Sequence, residues 1–227
     1  MDFERILRYL AKLEENNNRV WFHENHDEYK GAKSDFEELT RAMTFTVAQH
    51  CEPLADAVLQ VSAKDMTYRI PRDARVHKNA PPYNPAFRAY VAPNRKALWP
   101  LGYFVWIQPG DRSFISVGAF TNAREQLFSM REYIAARGYQ LDEILMEGSL
   151  ELIGDKLKKV PKGFDEDFAF AEYVKHKNWL VERRVKDKQL RDFAAFQRIL
   201  AKEIGRMEPF RVFMNDALIA AGGENHW

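Results

Sequence analysis

Two runs rich in aromatic and β-branched residues, Tyr103–Gln108 and Arg112–Ala119, flank the tripeptide Pro109-Gly110-Asp111. Proline, glycine and aspartate in that order carry turn chemistry, so the spacing predicts an antiparallel hairpin over residues 103–119. The segments on either side read as helices. Phe3, Ile6, Leu7, Leu10 and Leu13 recur at helical spacing behind the acidic Asp2 and Glu4, and Asn16-Asn17-Asn18 then tolerates the left-handed backbone that ends a helix. A second helix is predicted over residues 24–50, with Tyr29, Phe36, Leu39, Met43 and Val47 on or near one stripe. Helix, sheet, helix is the α+β order, so the expected fold is an antiparallel sheet packed with N-terminal and C-terminal helices.

Between the helices and the hairpin, Asp65–Ile70 is expected to be a strand. Pro71, Pro81, Pro82, Pro85 and Pro93 follow and allow at most an edge strand and then an irregular loop, since proline cannot donate to a ladder. After the hairpin, Thr121-Asn122 offers an N-cap with Glu125 three residues on, ahead of a helix ending near Gly138 with Leu127, Met130 and Ile134 on its stripe. Beyond Pro161-Lys162-Gly163 the last 60 residues or so read as helical, with Trp179, Leu180, Phe193, Phe196, Ile199 and Leu200 as core candidates. Residues 1–220 are expected to form one domain, and residues 221–227 a loose tail.

The chain has 227 residues, enough to bury roughly 70% of the surface of its unfolded form without staples. Cys51 is its only cysteine, which excludes an internal disulfide and a thiolate cluster within the chain. The first residues, Met-Asp-Phe-Glu-Arg-Ile-Leu-Arg, mix charges and lack the apolar core of a secretory signal. The longest apolar run, Leu98–Ile107, is interrupted by Pro100 and Gly102 and falls short of the about 20 residues a spanning helix needs. The expected location is cytoplasmic, with no membrane partner.

A formal net charge of +1 hides an uneven distribution. Residues 1–68 hold 13 acidic and 8 basic side chains, whereas residues 69–96 hold seven bases (Arg69, Arg72, Arg75, Lys78, Arg88, Arg95, Lys96) and one acid, Asp73. A local cationic excess attracts anions, while the near-neutral total argues against a dedicated nucleic-acid binder. The candidate site is therefore Arg69-Ile70-Pro71-Arg72-Asp73-Ala74-Arg75, with His77 and Tyr83 downstream. In extended backbone Arg69, Asp73 and Arg75 share one face and Arg72 takes the other. A carboxylate between guanidiniums can orient them and leave donors for a phosphate or carboxylate ligand. The same residues could instead neutralise one another and pin the loop. Asn18, Arg19 and Trp21 are candidates for a second wall, although an Asn string also serves as an ordinary helix stop.

Asp165, Glu166 and Asp167 could attract a hard cation but equally form a capping turn, and His23 with His26 lacks companions, so no metal site is assigned. The phosphate-cradling G-x-x-x-x-G-K-[ST], the dinucleotide G-x-G-x-x-G, H-E-x-x-H and G-x-S-x-G are all absent. No catalytic residue, cofactor or oligomeric state is assigned. The leading expectation is a small anionic ligand, bound or acted upon. The alternative is a protein-interaction or structural role. Single-stranded nucleic acid ranks last, resting on Tyr83, Phe87, Tyr90 and Trp99 interleaved with Arg88, Arg95 and Lys96.

Several of these segments occur together, in order, in one family. Asn17-Asn18-Arg19-x-Trp21-Phe22 with Tyr29, Arg69-Ile70-x-Arg72-Asp73-x-Arg75 with Pro82-Tyr83, Pro161-Lys162-Gly163-Phe164-Asp165, and Pro209-Phe210 with Asn215, Ala217 and Leu218 resemble the motifs of domain of unknown function 2461. The resemblance covers most of the chain and implies a shared fold and a shared site, without an established activity or cofactor. The chain departs from the family pattern after Lys78, where Asn79-Ala80-Pro81-Pro82-Tyr83-Asn84 stands in place of Asp-Lys-x-Pro-Tyr-Lys, and at Phe168, where relatives carry His. Ala80 and Asn84 thus replace two cations, which implies either a different ligand or loss of the site.

Overall fold

The structure is a computed structural model that describes residues 1–73, 75, 79–94, 99–121 and 123–222. His77, Lys78, Arg95, Lys96, Asn122 and the tail from Gly223 to Trp227 lie outside the described residues. Among the described residues, ten α-helices and four strands follow in the order α1 (Phe3–Glu15), α2 (Arg19–Glu24), α3 (His26–His50), α4 (Ala55–Leu59), α5 (Ala63–Met66), β1 (Phe87–Val91), β2 (Tyr103–Ile107), β3 (Ser113–Phe120), α6 (Arg124–Ala136), α7 (Gly138–Glu147), α8 (Ala171–Val174), β4 (Asn178–Val185), α9 (Asp187–Leu190) and α10 (Phe193–Ala220). The fold is α+β, with an antiparallel sheet in the order β1-β2-β3-β4.

The predicted first helix forms as its pattern dictates. Asp2 caps it by accepting from the Arg5 N–H, and its apolar stripe is buried to the last leucine. The Asn string ends it at Asn16, and Asn18 then caps α2 by accepting from the Trp21 N–H at 3.0 Å. The helix expected over residues 24–50 is present as α3, from His26 to His50, and the short helix α2 precedes it. Phe36, Leu39, Met43 and Val47 lie on the buried stripe of α3 as expected.

The hairpin is present as β2 and β3. Gly110 and Asp111 take the left-handed backbone (φ 82° and 59°) that the turn demands. Asp187 at the start of α9 accepts from both turn N–H groups, at 2.9 and 3.1 Å, and so anchors the turn.

Three expectations need correction. The strand expected at Asp65–Ile70 begins later. Asp65 and Met66 close the short helix α5, and only Thr67 and Tyr68 lie along β1, through the bridge Thr67↔Ala89 and the Tyr68 N–H bonded to the Arg88 carbonyl at 2.8 Å, while Pro71 bridges to Tyr83 ahead of that strand. The last 60 residues are not wholly helical. Asn178–Val185 pairs with β3 along its whole length, and a short apolar run such as Trp179-Leu180-Val181 takes its form from that distant partner rather than from its own periodicity. Finally, the helix expected to end near Gly138 is present as α6, ending at Ala136, but it starts at Arg124 without a side-chain cap, Thr121 accepting instead from the Ala123 N–H at 3.2 Å.

Alternation divides the sheet into two faces. Phe87, Ala89 and Val91 in β1, Tyr103, Val105 and Ile107 in β2, Ile115, Val117 and Ala119 in β3, and Trp179 and Val181 in β4 are buried on the inner face. There α3 packs on β1, and α10 packs on β3 and β4. The apolar cluster so formed extends from Phe3 through Trp179 to Leu218. No helix among the described residues is long and apolar enough to cross a membrane.

Candidate ligand groove and arginine edge

The outer face of the sheet carries Arg88 and Tyr90 from β1, Phe104 and Trp106 from β2, Phe114, Ser116 and Gly118 from β3, and Leu180, Glu182 and Arg184 from β4. An uncovered antiparallel face is ordinarily polar. Half of this one is aromatic or leucine, with Tyr90, Phe104, Trp106, Phe114 and Leu180 each only half-buried. A groove of about 450 Å³ runs along it, floored by Phe104, Phe114, Ser116 and Gly118. Its walls come from the two segments that flank the sheet. Tyr68 stands on the β1 side, and Ile153, bridged to Leu180, stands on the β4 side. Those flanking segments also occupy the backbone groups of the edge strands, which would otherwise offer a template for aggregation.

The pleat sets the groove's chemistry row by row. One row reads Tyr90, Phe104, Ser116, Glu182 across the four strands, and the next reads Arg88, Trp106, Phe114, Arg184. In the second row the Trp106 and Phe114 rings stack at 5.7 Å with an interplanar angle of 10°. The Arg88 guanidinium carbon lies 5.6 Å from the Trp106 ring centre, and that of Arg184 lies 5.4 Å from Phe114. Two cations thus bracket two rings, a cross-strand ladder in which each cation faces the negative π-surface. Arg184 also pairs with Glu182 at 2.6 Å. Burial raises the Glu182 carboxyl above the usual range, and Arg184 opposes that rise.

Arg88 ties the ladder to the candidate arginine segment. Its Nη2 donates to the Arg69 carbonyl at 2.9 Å, and its guanidinium also lies 5.5 Å from the Tyr68 ring centre. Burial lowers its pKa from the ordinary arginine value, and the neighbouring charge of Arg72 acts in the same direction. The Nε atoms of Arg72 and Arg88 are both buried without a hydrogen-bond partner. Two arginines, close enough to repel and each with an orphaned donor, therefore stand at the β1 edge. Arg69 is exposed beside them.

Asp73 is turned elsewhere. It binds Arg75 through Nη2 at 2.7 Å and Nε at 3.0 Å and accepts the Arg75 N–H at 2.9 Å, closing an exposed local loop. Exposed pairs of this kind contribute little stability, so Asp73 and Arg75 shape the segment rather than hold it down.

Asn17 and Tyr83 supply the hold. The Asn17 amide donates to the Tyr83 carbonyl at 2.9 Å and accepts the Tyr83 N–H at 3.0 Å. The buried Tyr83 ring stacks on Phe22 with centroids 4.1 Å apart. The adjacent Pro82 carbonyl then accepts the Arg72 N–H at 2.9 Å. The N-terminal and central motifs are thus one latch. Trp21, half-buried, faces Tyr9 at 6.0 Å between ring centres. Arg19 is exposed in the first turn of α2. Tyr83, Asn18, Trp21 and the arginine edge are therefore brought into one region of the chain's packing by Asn17 and Phe22, which the sequence reading did not place in the site. Arg88, Trp106, Phe114 and Tyr68 were also outside it.

Elsewhere, Asp165 accepts the Asp167 N–H at 3.0 Å, the geometry of a turn. Among the described residues no group of three or more His, Cys, Asp and Glu side chains is arranged to hold a metal ion. Cys51 lies in a buried network in which its thiol and the Tyr103 hydroxyl meet Glu208 Oε2 at 2.9 and 2.8 Å, and Arg211 clamps the same carboxylate at 2.6 and 2.7 Å. Burial and the Glu208 carboxylate push the Cys51 thiol up to about 12, which removes it as a thiolate nucleophile at neutral pH.

No curated protein and no solved structure matches the chain. The family model described as a conserved hypothetical protein (DUF2461) matches residues 5–213, a span that includes the latch, the arginine edge and all four strands, and the chain belongs to that family.

Proposed function

We propose that this protein binds a small amphipathic anion on the outer face of its sheet, with an aromatic or aliphatic body in the groove and a phosphate or carboxylate at the arginine edge. The observation that carries the proposal is the continuity of two unusual features: an uncovered sheet face lined by aromatics, and two arginines beside it whose buried Nε donors lack partners. Pockets for small molecules are typically apolar with a few convergent polar groups, and an oxyanion would satisfy donors that the protein leaves open. In this reading Arg72 and Arg88 contact the anion and Arg69 adds exposed charge. Asp73 and Arg75 shape the approach. Tyr83 holds the edge in place through the latch, Asn18 caps α2 beside it, and Arg19 and Trp21 border it from α2.

The test is thermal shift against aryl phosphates and aryl carboxylates, run on the wild type and on Arg72→Gln in an Arg131→Met background. Among the described residues Arg72 makes no side-chain hydrogen bond, so Arg72→Gln should retain the fold. A ligand that stabilises the wild type by several degrees and Arg72→Gln by less supports the proposal. Equal stabilisation of both proteins, or of neither, refutes it.

A further inference from the structure

Beyond the groove, at the far end of β3 and the start of β4, a second cavity of about 400 Å³ is lined by Phe120, Leu127, Leu157, Arg131, Lys177 and Asn178, with Thr121 and Asp155 at its margin. Arg131 projects from α6 and is 7% exposed. Its Nη2 donates to the His176 carbonyl at 3.0 Å, its Nε is buried without a partner, and among the described residues no carboxylate lies within ion-pair distance of it. Each of the other strongly buried charges is differently placed: Asp35 meets Arg5, Glu203 meets Arg206, and Arg211 meets Glu208. Lys177 brings a second cation to the cavity.

A guanidinium cannot shed its proton near neutral pH, so burial of an uncompensated arginine is not relieved by titration as it would be for lysine or a carboxylic acid. Burial does lower the Arg131 pKa, with no carboxylate opposing it. The charge needs a counter-ion, and the cavity supplies the room for one. Asp155 shares the cavity without reaching Arg131, so the protein's own acid does not fill this role. We infer that the Arg131 cavity is a second anion site, which takes a small oxyanion such as phosphate or the phosphate group of a short monoester. Arg131 acts as the buried anchor, Lys177 as the solvent-side cation, and Phe120, Leu127 and Leu157 close the apolar side. The site is independent of the arginine edge. It uses α6 and the β4 start, none of the latch, and it shares only Phe120 with the groove.

The experiment is thermal unfolding in inorganic phosphate against sodium chloride of equal ionic strength, on the wild type, Arg131→Met, Lys177→Ala and Arg72→Gln. At phosphate about 100-fold above Kd the wild-type midpoint rises by about 5–10 °C relative to chloride. Arg131→Met loses that rise, and in chloride it unfolds no earlier than the wild type because an uncompensated charge has been removed. Arg72→Gln keeps the rise, which separates this site from the arginine edge. Absence of the rise in the wild type, or an equal rise in Arg131→Met, overturns the inference. Should Arg131→Met fail to fold, Lys177→Ala decides: about fivefold weaker phosphate affinity with an unchanged midpoint in chloride upholds the site, and unchanged affinity overturns it.

Discussion

Replacing Asn17 by alanine removes both hydrogen bonds that hold the Tyr83 backbone, at 2.9 and 3.0 Å, and leaves a buried residue with an unpaired N–H and C=O. Each orphaned group costs about 1–3 kcal/mol when water cannot reach it. Asn17 itself is half-buried, so water entering the space left by its amide recovers part of that cost. A loss of about 2 kcal/mol is expected, or about 4–8 °C in midpoint for a chain of this size. Asn17→Asp retains an acceptor for the Tyr83 N–H but sets an oxygen against the Tyr83 carbonyl, so it should lose a similar amount above pH 5. Phe22→Leu weakens the stacking on the same tyrosine, and a double-mutant cycle with Asn17→Ala should show coupling of about 0.5–3 kcal/mol, since both residues act on Tyr83. The assay is urea unfolding followed by tryptophan fluorescence and far-UV circular dichroism. An Asn17→Ala loss below about 0.5 kcal/mol, or strict additivity with Phe22→Leu, would show that the latch does not hold the arginine segment.

Three further outcomes are expected. His176 is buried and its pKa is lowered to about 4, first by burial and then by Lys156. The unfolded chain therefore binds one more proton than the native state between about pH 4 and pH 6.5. Stability should fall with a slope of up to about 1.4 kcal/mol per pH unit as pH drops through that window, and His176→Gln should flatten that slope in urea titrations. Arg211→Met strips the buried clamp from Glu208 and should lose about 3 kcal/mol in urea unfolding, whereas the exposed Arg75→Met should stay within about 0.5 kcal/mol. Gly118→Ala would place a Cβ 2.2 Å from the Trp179 carbonyl oxygen, so the variant should lose more than about 3 kcal/mol or fail to fold, judged by soluble yield and calorimetry.

How far the sequence could be read depended on the distance over which each element is specified. The stripe of α1, the Asn16 stop and the Pro109-Gly110-Asp111 turn are local decisions, and all are found where their residues place them. β4 is not local. Trp179-Leu180-Val181 fits helix or strand equally, and pairing with β3 settles it. The groove was written in the hairpin but read on only one side. Tyr103-Phe104-Val105-Trp106-Ile107 is apolar at every position, and a strand with one solvated face should alternate. Unbroken hydrophobicity there was the signal that the second face also has a role. The arginine cluster was legible as composition, yet Asp73 serves Arg75, and the cation joining the segment to the groove is Arg88, on a strand hidden between prolines. Asn17 could be quoted as part of a motif, but its partner Tyr83 is 66 residues away and nothing local announces the contact.

The groove itself is open to a direct measurement by isothermal titration calorimetry of naphthyl phosphate with the wild type, Arg72→Gln and Ser116→Phe. Ser116 lies on the groove floor, and a phenyl ring there fills the space without touching the arginines. The expected result is a groove-site affinity for naphthyl phosphate at least about tenfold weaker in each variant than in the wild type, with naphthol and inorganic phosphate each binding that site more weakly than the combined ligand. Binding that both substitutions leave unchanged would place the ligand elsewhere and contradict the proposal.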